Sequence, residues 1–176
     1  MGDALAAAVA VFLLLVAIAL MGALQLYRAR RTRARDAERA RGRAIVAELP
    51  TGTDLTLFTE DPDRFYYADR AIDKRLIRAA RVLINGAPLA AYVSSRFPDA
   101  AQTAPTTFDD RPDGIARDRW DVALELGDET IIISCGAIRE RVSQELARKI
   151  FDAVKAAVEA LDARKAPNAE RRPPDA

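Results

Sequence analysis

The chain has 176 residues, half of them hydrophobic, with 27 basic and 26 acidic side chains, one cysteine and no histidine. A single cysteine excludes an intramolecular disulfide, and the absence of histidine removes the commonest ligand for zinc, copper and haem, so no cofactor is expected. The near-zero net charge conceals segregation: residues 27–43 hold eight arginines against Asp36 and Glu38, whereas residues 44–163 hold 15 basic and 21 acidic side chains.

Ala4–Leu26 is a run of 23 residues without charge, in which Gln25 is the one polar side chain. As a helix it spans about 35 Å, enough to cross a hydrocarbon core of about 30 Å. Inside lipid only a helix satisfies every backbone group within one segment. Residues 1–26 therefore read as a single transmembrane anchor. A cleaved signal peptide fits less well, because Met1-Gly2-Asp3 carries no lysine or arginine and the apolar run is too long. A lipoprotein is excluded by the lack of a nearby cysteine, and Ala6 stands where a myristoylation motif needs Ser or Thr.

Arg28, Arg30, Arg31, Arg33 and Arg35 follow the run directly. The positive-inside rule places them, and the soluble domain behind them, in the cytoplasm with the N-terminus outside. They are the expected membrane-surface contact, lying on the anionic lipid headgroups of the bilayer. Nucleic acid is not an expected partner, since Tyr27 is the only nearby aromatic residue that bases could stack on. The helix is expected to continue as an arginine-rich juxtamembrane segment over 27–49, with Gly42 as its weak point and Pro50 as its stop.

A soluble α+β domain is expected over 50–164. Thr53–Phe58 suits a strand. Residues 63–96 admit two readings. In the favoured one, Asp61-Pro62-Asp63 starts a helix with Phe65, Ile72, Leu76, Ala80 and Leu83 as its stripe, ending at Gly86, and Pro88 suits the first turn of a second helix running to Arg96. In the other, Val82–Val93 is a hairpin with Asn85-Gly86 as a type I′ turn and Pro88 on an edge strand. Asp99–Arg117 is a long polar loop. Trp120–Leu126 alternates apolar and polar residues with period two, and Thr130–Cys135 forms a second strand beyond the turn Gly127-Asp128. Ser143 has the chemistry of an N-cap. From there Leu146, Ala147, Ile150, Phe151, Val154, Ala157, Val158 and Leu161 make one apolar stripe, which predicts an amphipathic helix packed on a small antiparallel sheet. Residues 165–176 are expected to be a disordered tail.

Chemistry is sparse. Asp61, Asp63, Asp109, Asp110 and Asp113 are candidate acids, but they stand among Pro, Thr and Gly, where aspartate shapes turns. Cys135 has no histidine to activate it and reads as structural. Ser94-Ser95 lacks a nucleophile-elbow context, and no phosphate-binding loop or dinucleotide fingerprint is present. No catalytic site is expected. The reading is a membrane-tethered scaffold or interaction module with a protein partner; the alternative is a membrane-surface enzyme using the Asp109–Asp113 loop. Over Trp120–Leu161 the sheet closed by an amphipathic helix resembles the pleckstrin-like modules of bacterial membrane proteins. That resemblance implies lipid binding and would require strands over 63–96.

Overall fold

The structure, a computed structural model, describes residues 2–51, 54–101, 118–127 and 129–169. The chain divides into two units, Met1–Gly42 and Arg43–Ala176.

The first unit is one helix, α1 (Gly2–Ala40). It takes in the whole apolar run and continues for 14 residues beyond Leu26. It ends nine residues short of the expected Leu49, and Gly42 explains why. This glycine sits at φ 75°, the left-handed conformation that closes a helix without steric cost. Its amide donates to the Arg39 carbonyl at 2.9 Å.

The expected helix over 44–49 is instead strand β1 (Ala44–Thr51), the first element of the second unit. Ala47 and Leu49, two apart, both point into the core, and β-branched Ile45 and Val46 suit a pleated strand. Burial on a two-residue period overrules helix propensity here. Pro50 is tolerated because β1 is the outermost strand of its sheet.

β1 pairs with β2 (Asp54–Glu60), then β3 (Arg64–Tyr67) and β4 (Arg70–Asp73), in an antiparallel sheet of order β1-β2-β3-β4. A 3₁₀ turn, Lys74–Leu76, leads to β5 (Ala79–Ile84) and β6 (Ala87–Val93). With β7 (Arg119–Leu126) and β8 (Glu129–Ala137) these form a second antiparallel sheet, β6-β5-β7-β8.

The favoured helices over 63–96 are thus replaced by four strands and a turn. Along β5 every residue from Ala79 to Leu83 is buried, which a one-sided helical stripe does not allow. Leu76, assigned to that stripe, is 59% exposed. The hairpin reading holds where it was specific. Asn85 (φ 52°) and Gly86 (φ 80°) form the two-residue turn with both φ values positive, and Pro88 lies on the edge strand β6.

α2 (Arg141–Ala169) closes the domain. Ser143 is not its N-cap: it lies inside the first turn, where its hydroxyl donates to Glu140 Oε2 at 3.1 Å. The helix also runs through Lys165–Ala169, where a disordered tail was expected, and takes in Pro167. Residues 170–176 lie outside the described residues.

Both sheets and the helix share one core. β1–β4 contribute Leu49, Phe58, Phe65 and Ile72; β5, β7 and β8 contribute Val82, Trp120, Val122, Leu124, Ile131 and Ile133. The α2 stripe adds Ala147, Ile150, Val154 and Val158, all at most 1% exposed. Phe58 and Phe65 stack at 5.3 Å between centroids. Trp120 keeps its indole N–H satisfied by the Ile138 carbonyl at 3.4 Å.

Candidate functional site

The first candidate is α1 itself. From Val9 to Leu26 its large apolar side chains are 38–66% exposed, and none in the most apolar stretch is buried. At about 100° per residue these side chains point in every direction around the axis. A helix that is apolar all round needs an apolar environment on all sides. This one is long and apolar enough to cross a membrane, a property that anchors share with signal sequences.

The five expected contact arginines stand on the continuation of the same helix. Arg28, Arg31 and Arg35 lie close together on one face, with Arg30 and Arg33 on the opposite one, so the cations girdle the helix. No carboxylate occurs between Leu26 and Asp36. Further along, Asp36 lies 3.8 Å from Arg39, and Glu38 pairs with Arg41.

In the second unit the polar side chains form internal clusters. Asp61 organises the β2–β3 turn. Its Oδ1 accepts from the amides of Asp63 (2.8 Å) and Arg64 (2.6 Å), and its Oδ2 from the Tyr66 hydroxyl (2.6 Å). The Tyr66 bond is the main cause holding this carboxyl below the usual range. Lys74, which is buried, donates to Glu60 Oε2 (2.8 Å) and the Asp61 carbonyl (2.7 Å) and lies over the Phe65 ring. Asp61 and Asp63 therefore shape a turn, as their Pro-containing context suggested.

Asp162 is a residue that sequence reasoning missed. It projects from α2 to the end of β6, where Oδ1 accepts from Ser94 Oγ and Arg96 Nε, both at 2.7 Å. Oδ2 accepts from the Ser95 amide (2.9 Å) and the Tyr92 hydroxyl (3.1 Å). Arg96 Nη1 continues the network to the Arg75 carbonyl at 2.9 Å. Ser94 and Ser95 are thus donors in a structural latch. Nothing local in the sequence signals it, because its members stand 66 or more residues apart.

The core-distal face of the second sheet carries two more ion pairs. Arg81 pairs with Glu125, and Arg119 Nε lies 2.8 Å from an oxygen of the fully buried Asp121. Burial pushes both carboxyls above their usual range, against the pull of their arginines.

Among the described residues no group of three His, Cys, Asp or Glu side chains could hold a metal ion. Asp109, Asp110 and Asp113, the acids on which the enzyme alternative rested, lie outside the described residues. A groove of about 480 Å³ runs between Tyr67–Arg70 and Glu129–Ile132, bridged by an Arg70–Glu129 ion pair. Its lining sets Tyr67, Asp69 and Thr130 beside the aliphatic Ala68, Ile131 and Ile132.

Cys135 is fully buried, its thiol donating weakly to the Ile133 carbonyl at 3.6 Å. Burial pushes its pKa up to about 12. In the folded chain its reaction with a thiol reagent at about pH 8 should be slowed about 100-fold or more relative to the unfolded chain. Equal rates in the two states would show that the site is open.

No family model matches the chain, and neither a curated protein nor a solved structure is significantly similar to it.

Proposed function

We propose that this chain is a single-pass membrane protein in which α1 anchors a β-rich interaction module to the bilayer. The observation that carries this reading is the all-round exposure of the apolar side chains from Val9 to Leu26. Lipid removes that surface from water on every side at once, which a single protein groove does not. The arginine girdle supports an orientation with the N-terminus outside and residues 43–169 in the cytoplasm, its cations on anionic headgroups. With its polar groups spent on internal clusters, the domain is read as a scaffold that positions a protein partner, not as an enzyme.

Two measurements test the anchor and its direction. The chain should stay with membranes through an alkaline carbonate wash at its full mass; loss of an N-terminal peptide would identify a signal sequence instead. Leu14→Arg with Ile18→Arg puts two charges at mid-bilayer, each costing about 2.5–3.5 kcal/mol of insertion, and should release the chain to the soluble fraction. A cysteine placed on α2 by Gln144→Cys should react with an impermeant maleimide only after cells are permeabilised. Labelling of intact cells would reverse the orientation.

A second reading is a pleckstrin-like lipid-binding module. It is favoured by the strands that stand over 63–96, together with a C-terminal helix closing two antiparallel sheets.

A further inference from the structure

We propose that the turn between β4 and β5 is a second membrane contact, in which Leu76 enters an anionic lipid surface with Arg75, Arg78 and Phe97 around it. The proposal rests on the anchor reading, which keeps a bilayer within reach of every copy. Residues 27–40 of α1 add only about 21 Å beyond the apolar run, and the domain begins three residues later.

Of the five cations between Lys74 and Pro98, Lys74, Arg81 and Arg96 are largely buried against Glu60, Glu125 and Asp162, and Arg75 and Arg78 are the two that reach the surface at this turn. The turn also displays an apolar tip. Asp73 caps it by accepting from the Arg75 amide at 2.8 Å, and this geometry buries Ile77 while turning Leu76 outward. Arg75 beside it is exposed. The Arg96–Arg75 carbonyl bond ties the end of β6 to the turn and brings in Phe97. The guanidinium groups of Arg78 and Arg96 lie 5.2 and 5.4 Å from the centre of the Phe97 ring.

An apolar tip ringed by guanidinium groups fits a lipid interface: the leucine reaches the acyl boundary while the arginines stay at headgroup level. Four carboxylates face these arginines, Asp63 among them through its charge on Arg75. Asp162 holds Arg96 in the interior, and that pair remains in place. Asp73 pairs with Arg75 at 3.2 Å and Asp99 with Arg78 at 3.3 Å. Exposed pairs of this kind contribute little, so lipid phosphates can take their place. A patch of four side chains is far smaller than a stable protein interface. On a tethered domain it suffices, because the anchor makes the second contact intramolecular.

The test uses the full chain in vesicles, with Leu76→Cys carrying an environment-sensitive fluorophore and a matching probe at Val16→Cys in the anchor. Lipids spin-labelled near the headgroup should quench the Leu76 probe about twofold more when phosphatidylglycerol is mixed into phosphatidylcholine than in phosphatidylcholine alone. Arg75→Glu with Arg78→Glu should abolish that difference while leaving the Trp120 fluorescence of the folded domain unchanged. Equal quenching of the Leu76 probe in both lipids, with Val16 still quenched from within the acyl region, overturns the second contact and spares the anchor. An unquenched Val16 probe overturns both. Crosslinking of position 76 to another polypeptide in native membranes, without lipid quenching, assigns the patch to a protein and also overturns the proposal.

Discussion

Replacing Asp162 by alanine is expected to destabilise the β-rich domain by about 3 kcal/mol, lowering its melting temperature by about 10 °C. The side chain is 9% exposed and accepts from four donors at once. Its loss strands the Arg96 guanidinium, itself 11% exposed, in a site where Nη2 already has no hydrogen-bond partner. An unpaired buried charge costs far more than the pair contributes when intact. Asp162→Asn, which keeps one acceptor oxygen but loses the charge, should fall between wild type and alanine. As a contrast, Asp152→Ala breaks only the exposed Arg148–Asp152 pair at 3.8 Å and should change stability by less than about 0.5 kcal/mol. Trp120, the single tryptophan and buried in the core, reports unfolding directly. Equal effects of the two alanine variants would refute the latch.

The same carboxylate sets a pH dependence. Burial alone would raise the Asp162 pKa, but the bonds from Ser94, Ser95, Arg96 and Tyr92 outweigh it and hold the pKa below the usual range. The folded state therefore binds a proton less readily than the unfolded state does. Its stabilising contribution is complete above the unfolded carboxylate pKa and is lost as pH falls through the lower folded value. Asp162→Ala should accordingly flatten the acid limb of the stability profile, and an unchanged limb would mean that other groups control it.

Gly136→Ala should cost a further class of energy, about 3 kcal/mol, through backbone strain and overlap together. Gly136 sits at φ 117°, where L residues rarely go, opposite Trp120 beside the irregularity that leaves Cys135 without a partner on β7. A Cβ there would overlap Ser143 Oγ and approach Ser143 Cβ to 3.3 Å, so the Ser143 hydroxyl would have to leave Glu140 and its Cβ give by a few tenths of an ångström. Gly127→Ala separates the two causes. It also has positive φ, 70°, but nothing within 4 Å of the new methyl, and should cost only about 1 kcal/mol. Ser143→Ala removes one overlapping atom and should partly rescue Gly136→Ala in chemical unfolding. Additivity of the two would place the whole cost in the backbone conformation.

Legibility along the chain followed the range of the deciding interactions. The β7–β8 hairpin and the apolar face of α2 were readable because period-two and period-3.6 patterns sit within a few consecutive residues. Phe65, Ile72, Leu76, Ala80 and Leu83 have helical spacing and nevertheless lie on strands and a turn. Burial on both faces of β5 comes from partners distant in sequence, which no local pattern reports. At the candidate sites the contrast is similar. The arginine girdle is contiguous and was visible at once, whereas the Asp162 latch joins residues 66–70 positions apart and the Leu76 tip appears only once the turn is built.

By itself, then, the sequence determined one long apolar helix with arginines at one end, because its composition requires an apolar environment whatever else the chain does. It also determined a β-hairpin and an amphipathic C-terminal helix. Only the tertiary structure decided where α1 ends, that residues 63–96 are strands, and which charges are buried. Those outcomes depend on long-range pairing and shared burial, which override weak local propensities once a common core forms.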